Sequence, residues 1–244
     1  MKYLKLLLLI VASTAAMASP AHVSKPVDHL SAEMSSVEKR VRQAAVRITV
    51  PFSGGHGSGS YIKHKDVYIV ITAQHVADGA LGTNYLASHK DESKIATLIY
   101  SDPVSDIAVL FLSIPFRTIE PMKYNPMKET AEVGTHIFYS GYPSTHKLMS
   151  FSGRVAGYEL GPSGKNHIIL STYGWFGCSG SLIYTLKGQQ VGVLYGVDVE
   201  YYPTTQVQEN MIWVAPMNLV NMRKALEPIC RGSELMGKKI KACK

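Results

Sequence analysis

The chain has 244 residues, is 46% hydrophobic and 18% charged, and carries a formal net charge of +7. This is the composition of a globular protein with enough apolar material for a core, and the length suits one compact domain or two small subdomains sharing a cleft. There is no internal repeat and no low-complexity tract. The basic surplus comes without a zinc finger, an RNA-binding signature or an aromatic-interleaved basic array, so nucleic acid is not expected as a partner.

The chain begins "MKYLKLLLLIVASTAAMASPA": two lysines, an apolar run, then small residues ending in Ala16-Met17-Ala18. This reads as a secretory signal peptide over residues 1–18, cleaved after Ala18. The run Leu6 to Met17 falls short of the roughly 20 residues a bilayer span needs. Cleavage removes Lys2 and Lys5 and lowers the formal charge from +7 to +5. A secreted or periplasmic protein is expected, membrane-anchored only if the leader is retained. No other segment is long and apolar enough to cross a membrane.

A polar N-terminal segment, 19–40, follows. The second half of "VEKRVRQAAVRITVPF" reads as a strand, and "GSGSYIKH" and "VYIVITAQHV" as two more, joined by a turn at Lys65-Asp66. "KIATLIYSD" and "DIAVLFLSI" complete a first group. After a loop containing Pro115, Pro121 and Pro126 the pattern resumes with "GTHIFYSGY", "KLMSFSGRVAGYEL", "NHIILSTYG", "SLIYTLK", "QQVGVLYGVD" and "NMIWVAP". These runs are rich in Val, Ile, Tyr and Thr and are bounded by Gly, Pro, Asp and Asn. Only "MNLVNMRKALEPI" has helical spacing, with Asn218 as a start and Pro228 near the stop. So many short strands with one terminal helix predict an all-β protein of barrels or a sandwich, divided by the proline-rich loop.

A serine hydroxyl is a weak nucleophile unless an imidazole takes its proton, and the imidazole needs a carboxylate to hold its tautomer. The developing oxyanion needs backbone N–H donors already aimed at it. "FGCSGS" supplies Ser179 between Cys178 and Gly180, "ITAQHVADG" supplies His75 after an apolar strand, and "DPVSDIAVLFL" supplies Asp106 at the head of another. Each alone is an ordinary turn or strand-end residue. Together they follow the chain order His, Asp, Ser, with the first two in one strand group and the serine in the other. Asp102 is the rival acid, but it precedes Pro103 in a turn.

These stretches resemble the trypsin-like (chymotrypsin-fold) serine peptidases, and among them the compact bacterial and viral members. "GSGSYI" with "VYIVITAQHVADG" is similar to the family's Gly-Ser-Gly strand and Thr-Ala-x-His, and "SDIAVLFL" to its Asp-(Ile/Leu)-Ala-Val-Leu. "VGTHIFYSGYP" resembles the strand opening the second barrel, and "GCSGSLIY" with "GQQVGVLYG" resembles Gly-x-Ser-Gly-Gly and the strand lining the cleft. The resemblance runs from about Val41 to Leu226. It implies two six-stranded antiparallel β-barrels, barrel one over about 41–114 and barrel two over about 130–216. A helix over 217–228 completes a peptidase domain of 41–229, with 230–244 as a basic tail. It also implies a serine endopeptidase acting on polypeptides, with His75 as base and acid, Asp106 orienting it, Ser179 as nucleophile, and the N–H groups of Gly177 and Ser179 as the oxyanion hole. Cys178 occupies the family's variable position, since a cysteine nucleophile would be followed by glycine. A catalytically silent binding barrel, or an esterase or acyl transferase on the same triad, are the alternatives.

The resemblance also assigns the cleft. Tyr173, six residues before the nucleophile, would floor the primary pocket, and Leu194, Tyr195 and Gly196 would line the substrate strand. Tyr173 is not an acid, so no preference for Lys or Arg is expected, and "YGVDVE" lacks the Gly-x-His of glutamate-preferring relatives. An apolar preference is expected. Cys178 cannot make the ion pair by which digestive members activate, and Ser181 replaces the family's second glycine. The histidines show no metal-ligand spacing, so no metal or cofactor is expected. A monomer is expected, because no PDZ-like module follows. Cys230 and Cys243 are spaced so that they can pair, although the spacing does not demand it.

Overall fold

A computed structural model describes residues 34–51, 54–201 and 203–244. The expected signal peptide and most of the polar N-terminal segment lie outside the described residues. The chain forms two six-stranded antiparallel barrels and a C-terminal helix.

A short helix, α1 (Ser36–Ala44), opens the described chain where the sequence suggested only a polar lead-in to a strand. Its start is a capping box: the Ser35 hydroxyl accepts the Glu38 N–H at 3.2 Å, and the Glu38 carboxylate accepts the Ser35 N–H at 2.8 Å. Val41 and Ala44 face the core. Arg42 reaches Ser150 Oγ and the Leu148 carbonyl, both at 3.0 Å, so the helix straps onto the second barrel.

Barrel one contains β1 (Ala45–Thr49), β2 (His56–His64), β3 (Val67–Thr72), β4 (Asn84–His89), β5 (Glu92–Asp102) and β6 (Ile107–Phe111). Its order is β1-β4-β5-β6-β3-β2, closed by pairing of β1 with β2, and β7 (Met122–Lys123) adds on parallel to β2. Sequence patterning misses β4. The strand is Asn-Tyr-Leu-Ala-Ser-His, with Tyr85, Ala87 and His89 buried on one face. The period of two is present, but the strand holds one strongly strand-forming residue, Tyr85, among residues such as Asn84 and Ala87 that are depleted in strands.

Barrel two is a closed ring of β8 (His136–Gly141), β9 (Met149–Leu160), β10 (Asn166–Ser171), β11 (Leu182–Thr185), β12 (Gln190–Glu200) and β13 (Gln206–Pro216), in the order β10-β13-β12-β11-β8-β9. The linker between barrels is pinned by buried Gln190, whose amide accepts the Asn125 N–H and donates to the Lys123 carbonyl. One continuous apolar cluster joins Val46, Ile71, Val76 and Leu110 of the first half to Phe138, Leu182, Tyr184 and Val193 of the second.

The terminal helix is displaced from its expected span. α2 runs Met222–Leu235, capped by Asn221 rather than Asn218, and continues past Pro228. The chain then turns back and Cys243 closes a disulfide to Cys230, with Cα atoms 5.6 Å apart. The tail is seated on the β2–β3 turn. Asp66 accepts the N–H groups of Lys241 and Ala242 at 2.8 and 2.9 Å, and Lys65 Nζ donates to the carbonyls of Lys241 and Lys244, both at 3.1 Å. The residues named as a basic tail therefore include the end of a helix and a docked turn. Among the described residues no helix is long and apolar enough to cross a membrane.

Glu92 organises the loop beneath barrel one. Its carboxylate takes the Thr118 hydroxyl at 2.6 Å, Lys94 Nζ at 2.9 Å, and the N–H groups of Arg117 and Thr118. The Thr118 hydroxyl first, then Lys94, holds its carboxyl down from the ordinary 4.5 to about 2. A depressed carboxyl stabilises the fold above its unfolded pKa, and that contribution is lost as pH falls through the folded value. Glu92→Gln is therefore expected to lower the urea midpoint at neutral pH. The gap from wild type should shrink below pH 4.5 and close near pH 2.

Candidate active site

His75 and Asp106 are brought together. His75 sits in a single 3-10 turn (Gln74–Val76) directly after β3, and Asp106 stands one residue before β6, the strand paired to β3. Asp106 has φ +52, a left-handed conformation that Asp tolerates better than most residues. Its carboxylate makes two bonds to the same partner: Oδ2 to His75 Nδ1 at 2.7 Å, and Oδ1 to the His75 backbone N–H at 2.9 Å. The imidazole keeps 48% of its side-chain surface open to solvent while the carboxylate keeps 22%. The pair thus has an inner anion and an outer ring. Asp102 instead caps its own turn, accepting the N–H groups of Val104 and Ser105.

Ser179 lies in the turn that precedes β11 and is half-buried. The turn is built from local backbone bonds, Cys178 N–H to Trp175 O and Ser181 N–H to Cys178 O, with Gly177 and Gly180 both at φ +91. Only glycine adopts that geometry freely. Gly180 also backs onto barrel one, where a Cβ would collide with the Ser58 carbonyl and Thr72 Oγ1 and stand 3.0 Å from the Ala73 nitrogen. The serine turn is therefore pressed against the segment that leads, two residues later, to His75. Among the described residues, neither the Gly177 nor the Ser179 N–H has a hydrogen-bond partner.

Cys178 points the other way. It is fully buried in the apolar cluster of barrel two, with Tyr139, Leu170, Ile183 and Leu194. Burial pushes its thiol up from the ordinary value, so the thiolate needed for reactivity is disfavoured. Ser181 is also fully buried, and its hydroxyl faces Gly141, where a Cβ would collide with it. A missing side chain at 141 is what lets this chain carry serine in place of the family's second glycine.

The cleft residues divide. Leu194 lies at the core of β12, its N–H and carbonyl bonded to Ser181 O and Gly180 N–H, which hangs the serine turn on the strand. Tyr195 and Gly196 fall at a bulge in the β12–β13 register. Burial, and then the charge of Asp106, push the Tyr195 hydroxyl up. That hydroxyl bonds to buried His167, 2.8 Å away, whose other nitrogen bonds to Ser163. Tyr173 is 38% exposed, stacks its ring at a tilt on Phe151, and accepts the Tyr139 hydroxyl on its carbonyl. Gly174 beside it is buried, and its Cβ position is met by Ile212 and Val197 of the barrel-two core. Asp198 receives the Trp213 indole N–H at 3.4 Å.

Sequence reasoning passed over Ser58, which is fully buried in β2 and bonded to the serine turn from below. The signal was the Gly57-Ser58-Gly59 triplet, since glycines inside a strand mark close approach of another backbone. A cavity of about 760 Å³ lies elsewhere, between the β2–β3 turn, the start of α2 and the terminal turn, and none of His75, Asp106 or Ser179 lines it. Among the described residues no three His, Cys, Asp or Glu side chains cluster as a metal site requires.

The family of the trypsin-like peptidase domain matches residues 57–193, which covers more than half of the chain, and the protein belongs to it. Solved structures agree on the fold. The Rv3671c protease from M. tuberculosis in its active form is 21% identical, with a TM-score of 0.59 over 75% of this chain and 80% of that one. An HtrA-type protease, AlgW, with a tripeptide is 19% identical, with a TM-score of 0.61 over 83% of this chain and 64% of that one. The serine endoprotease from Yersinia pestis is 18% identical, with a TM-score of 0.58 over 75% of this chain and 62% of that one. The chain thus spans under two thirds of the latter two. No curated protein is similar enough in sequence to match.

The burial of Cys178 carries a chemical consequence. In the folded protein Cys178 should resist iodoacetamide, and it should be alkylated at the rate of a free thiol only after denaturation, as mass spectrometry of the peptide would show.

Proposed function

We propose that the protein is a serine endopeptidase in which Ser179 is the nucleophile, His75 the general base and acid, and Asp106 the group that orients and charges against His75. The observation that carries this reading is the two-point grip of Asp106 on His75. Holding both the ring nitrogen and the backbone N–H fixes the ring's position, and a proton on Nδ1 leaves Nε2 with a free lone pair.

The reaction then follows from that tautomer. Ser179 Oγ attacks the scissile carbonyl carbon as Nε2 removes its proton. The tetrahedral oxyanion takes the N–H groups of Gly177 and Ser179, which lack other partners among the described residues. Collapse breaks the C–N bond, and the leaving amine takes the proton from Nε2. Water, deprotonated by the same nitrogen, attacks the acyl carbon, and as the C–O bond to Ser179 breaks Nε2 returns that proton to Ser179 Oγ.

A fluorophosphonate probe with turnover of a peptide library tests the reading. Wild type should label at Ser179. Ser179→Ala should lose the label and about 10⁴- to 10⁶-fold in rate while keeping its thermal midpoint. Asp106→Asn should lose on the order of 10⁴-fold, through the wrong histidine tautomer. Labelling that persists in Ser179→Ala and disappears in Cys178→Ala would overturn the assignment. A folded wild type that neither labels nor cleaves would leave a binding barrel instead.

A further inference from the structure

Gly177 is flanked by two peptide planes, and each is held from outside the turn. On one side, the Phe176 carbonyl accepts the Ser144 N–H at 2.6 Å. A trans peptide points its N–H opposite to its carbonyl, so the Gly177 N–H is turned away from Ser144. On the other side, the Gly177 carbonyl accepts the Ser58 hydroxyl at 2.7 Å. The same hydroxyl oxygen accepts the Tyr142 N–H at 2.9 Å, and His56 Nε2 bonds to the Tyr142 carbonyl at 3.0 Å.

Ser58 also contributes its backbone. Its N–H donates to the Ser179 carbonyl at 2.8 Å, and its carbonyl accepts the Thr72 hydroxyl at 2.7 Å. Thus one fully buried residue of barrel one fixes the carbonyls of Gly177 and Ser179, the residues that bear the two oxyanion donors. Gly177, at φ +91 and without a Cβ, has no intrinsic barrier that would hold its peptides in this orientation. Donors that stabilise an oxyanion must already be aimed before charge develops.

We infer that Ser58 is a positioning residue for the oxyanion hole. Its hydroxyl holds Gly177 from both sides: directly at the Gly177 carbonyl, in the peptide that follows, and through the Tyr142 N–H at the segment whose Ser144 N–H holds the Phe176 carbonyl, in the peptide that bears the Gly177 N–H. The inference rests on the peptidase reading above. It assigns Ser58 no contact with substrate and no proton transfer; its effect reaches the transition state through the turn.

Ser58→Ala tests it, read by steady-state kinetics on a peptide that wild type cleaves and by two inhibitors of the same sequence. One is a peptidyl trifluoromethyl ketone, which forms a tetrahedral adduct with an oxyanion. The other is the corresponding uncleaved peptide, which forms none. The expected result is a fall in kcat of about 10- to 100-fold with KM within about threefold. The ketone should weaken by the same factor as kcat, and the plain peptide should bind unchanged. Ser58→Cys, of similar size and a weaker donor, should fall between wild type and Ser58→Ala, and it serves as the test if the alanine variant does not fold. A folded variant of either kind with kcat within about twofold of wild type overturns the inference. So does a parallel loss for KM, the ketone and the plain peptide, which would mark a generally loosened cleft. Failure of the peptidase reading looks different: wild type itself would show no labelling and no turnover.

Discussion

The site depends on one close approach, the serine turn of barrel two resting on β2 of barrel one. Backbone meets backbone there. Ser58 N–H bonds to the Ser179 carbonyl, and Gly180 has no room for a side chain against Ser58 and Thr72. Gly57 is equally restricted by Val76 and the Ser179 carbonyl. A Cβ at Gly180 would wedge the halves apart, so that glycine is a steric condition for the close approach of the two barrels. The apolar cluster that crosses the same boundary, from Val76 and Ile71 to Leu182 and Val193, supplies the burial that keeps the surfaces in contact.

That approach explains the contrast between the two adjacent nucleophile candidates. Successive residues of a tight turn point in different directions. With the turn anchored at Leu194 on one side and Ser58 on the other, residue 178 enters the core of barrel two and residue 179 faces the boundary. The thiol is thereby desolvated and held protonated. Ser179 stays half-buried, and its neighbour Gly180 abuts the segment that leads to His75. Chemistry that cysteine performs well on its own is withheld from it by burial, and chemistry that serine performs poorly on its own depends on its neighbours.

The pair His75–Asp106 belongs wholly to barrel one, formed where adjacent strands β3 and β6 end and begin. In barrel two the Tyr195 hydroxyl, pushed up by burial and then by the charge of Asp106, is tied through buried His167 to Ser163. The tail is arranged independently. Its disulfide and its bonds to Lys65 and Asp66 fasten the end of the chain to the β2–β3 turn, the opposite end of the strand whose start carries Ser58. The same strand thus anchors both the tail and the serine turn.

The sequence by itself determined the strand-rich class and the division at the proline loop, and it singled out His75, Asp106 and Ser179 as candidates. Alternation and motif spacing are local properties that survive without tertiary context. It also contained signs that strand patterning obscured: the Ser35-x-x-Glu38 capping box before α1, and the period of two in β4. Pro228 read as a stop because proline usually ends a helix, yet α2 continues through it, packed through Ala225 and Leu226 and closed by the bridge from Cys230. Only the tertiary structure decided that Cys178 is buried, that Ser181 fits because Gly141 faces it, that Tyr173 packs on Phe151, and that Ser58 reaches across 119 positions to Gly177. Those facts depend on which backbones meet across the barrel boundary, and residues so far apart in the chain carry no local pattern that records the meeting.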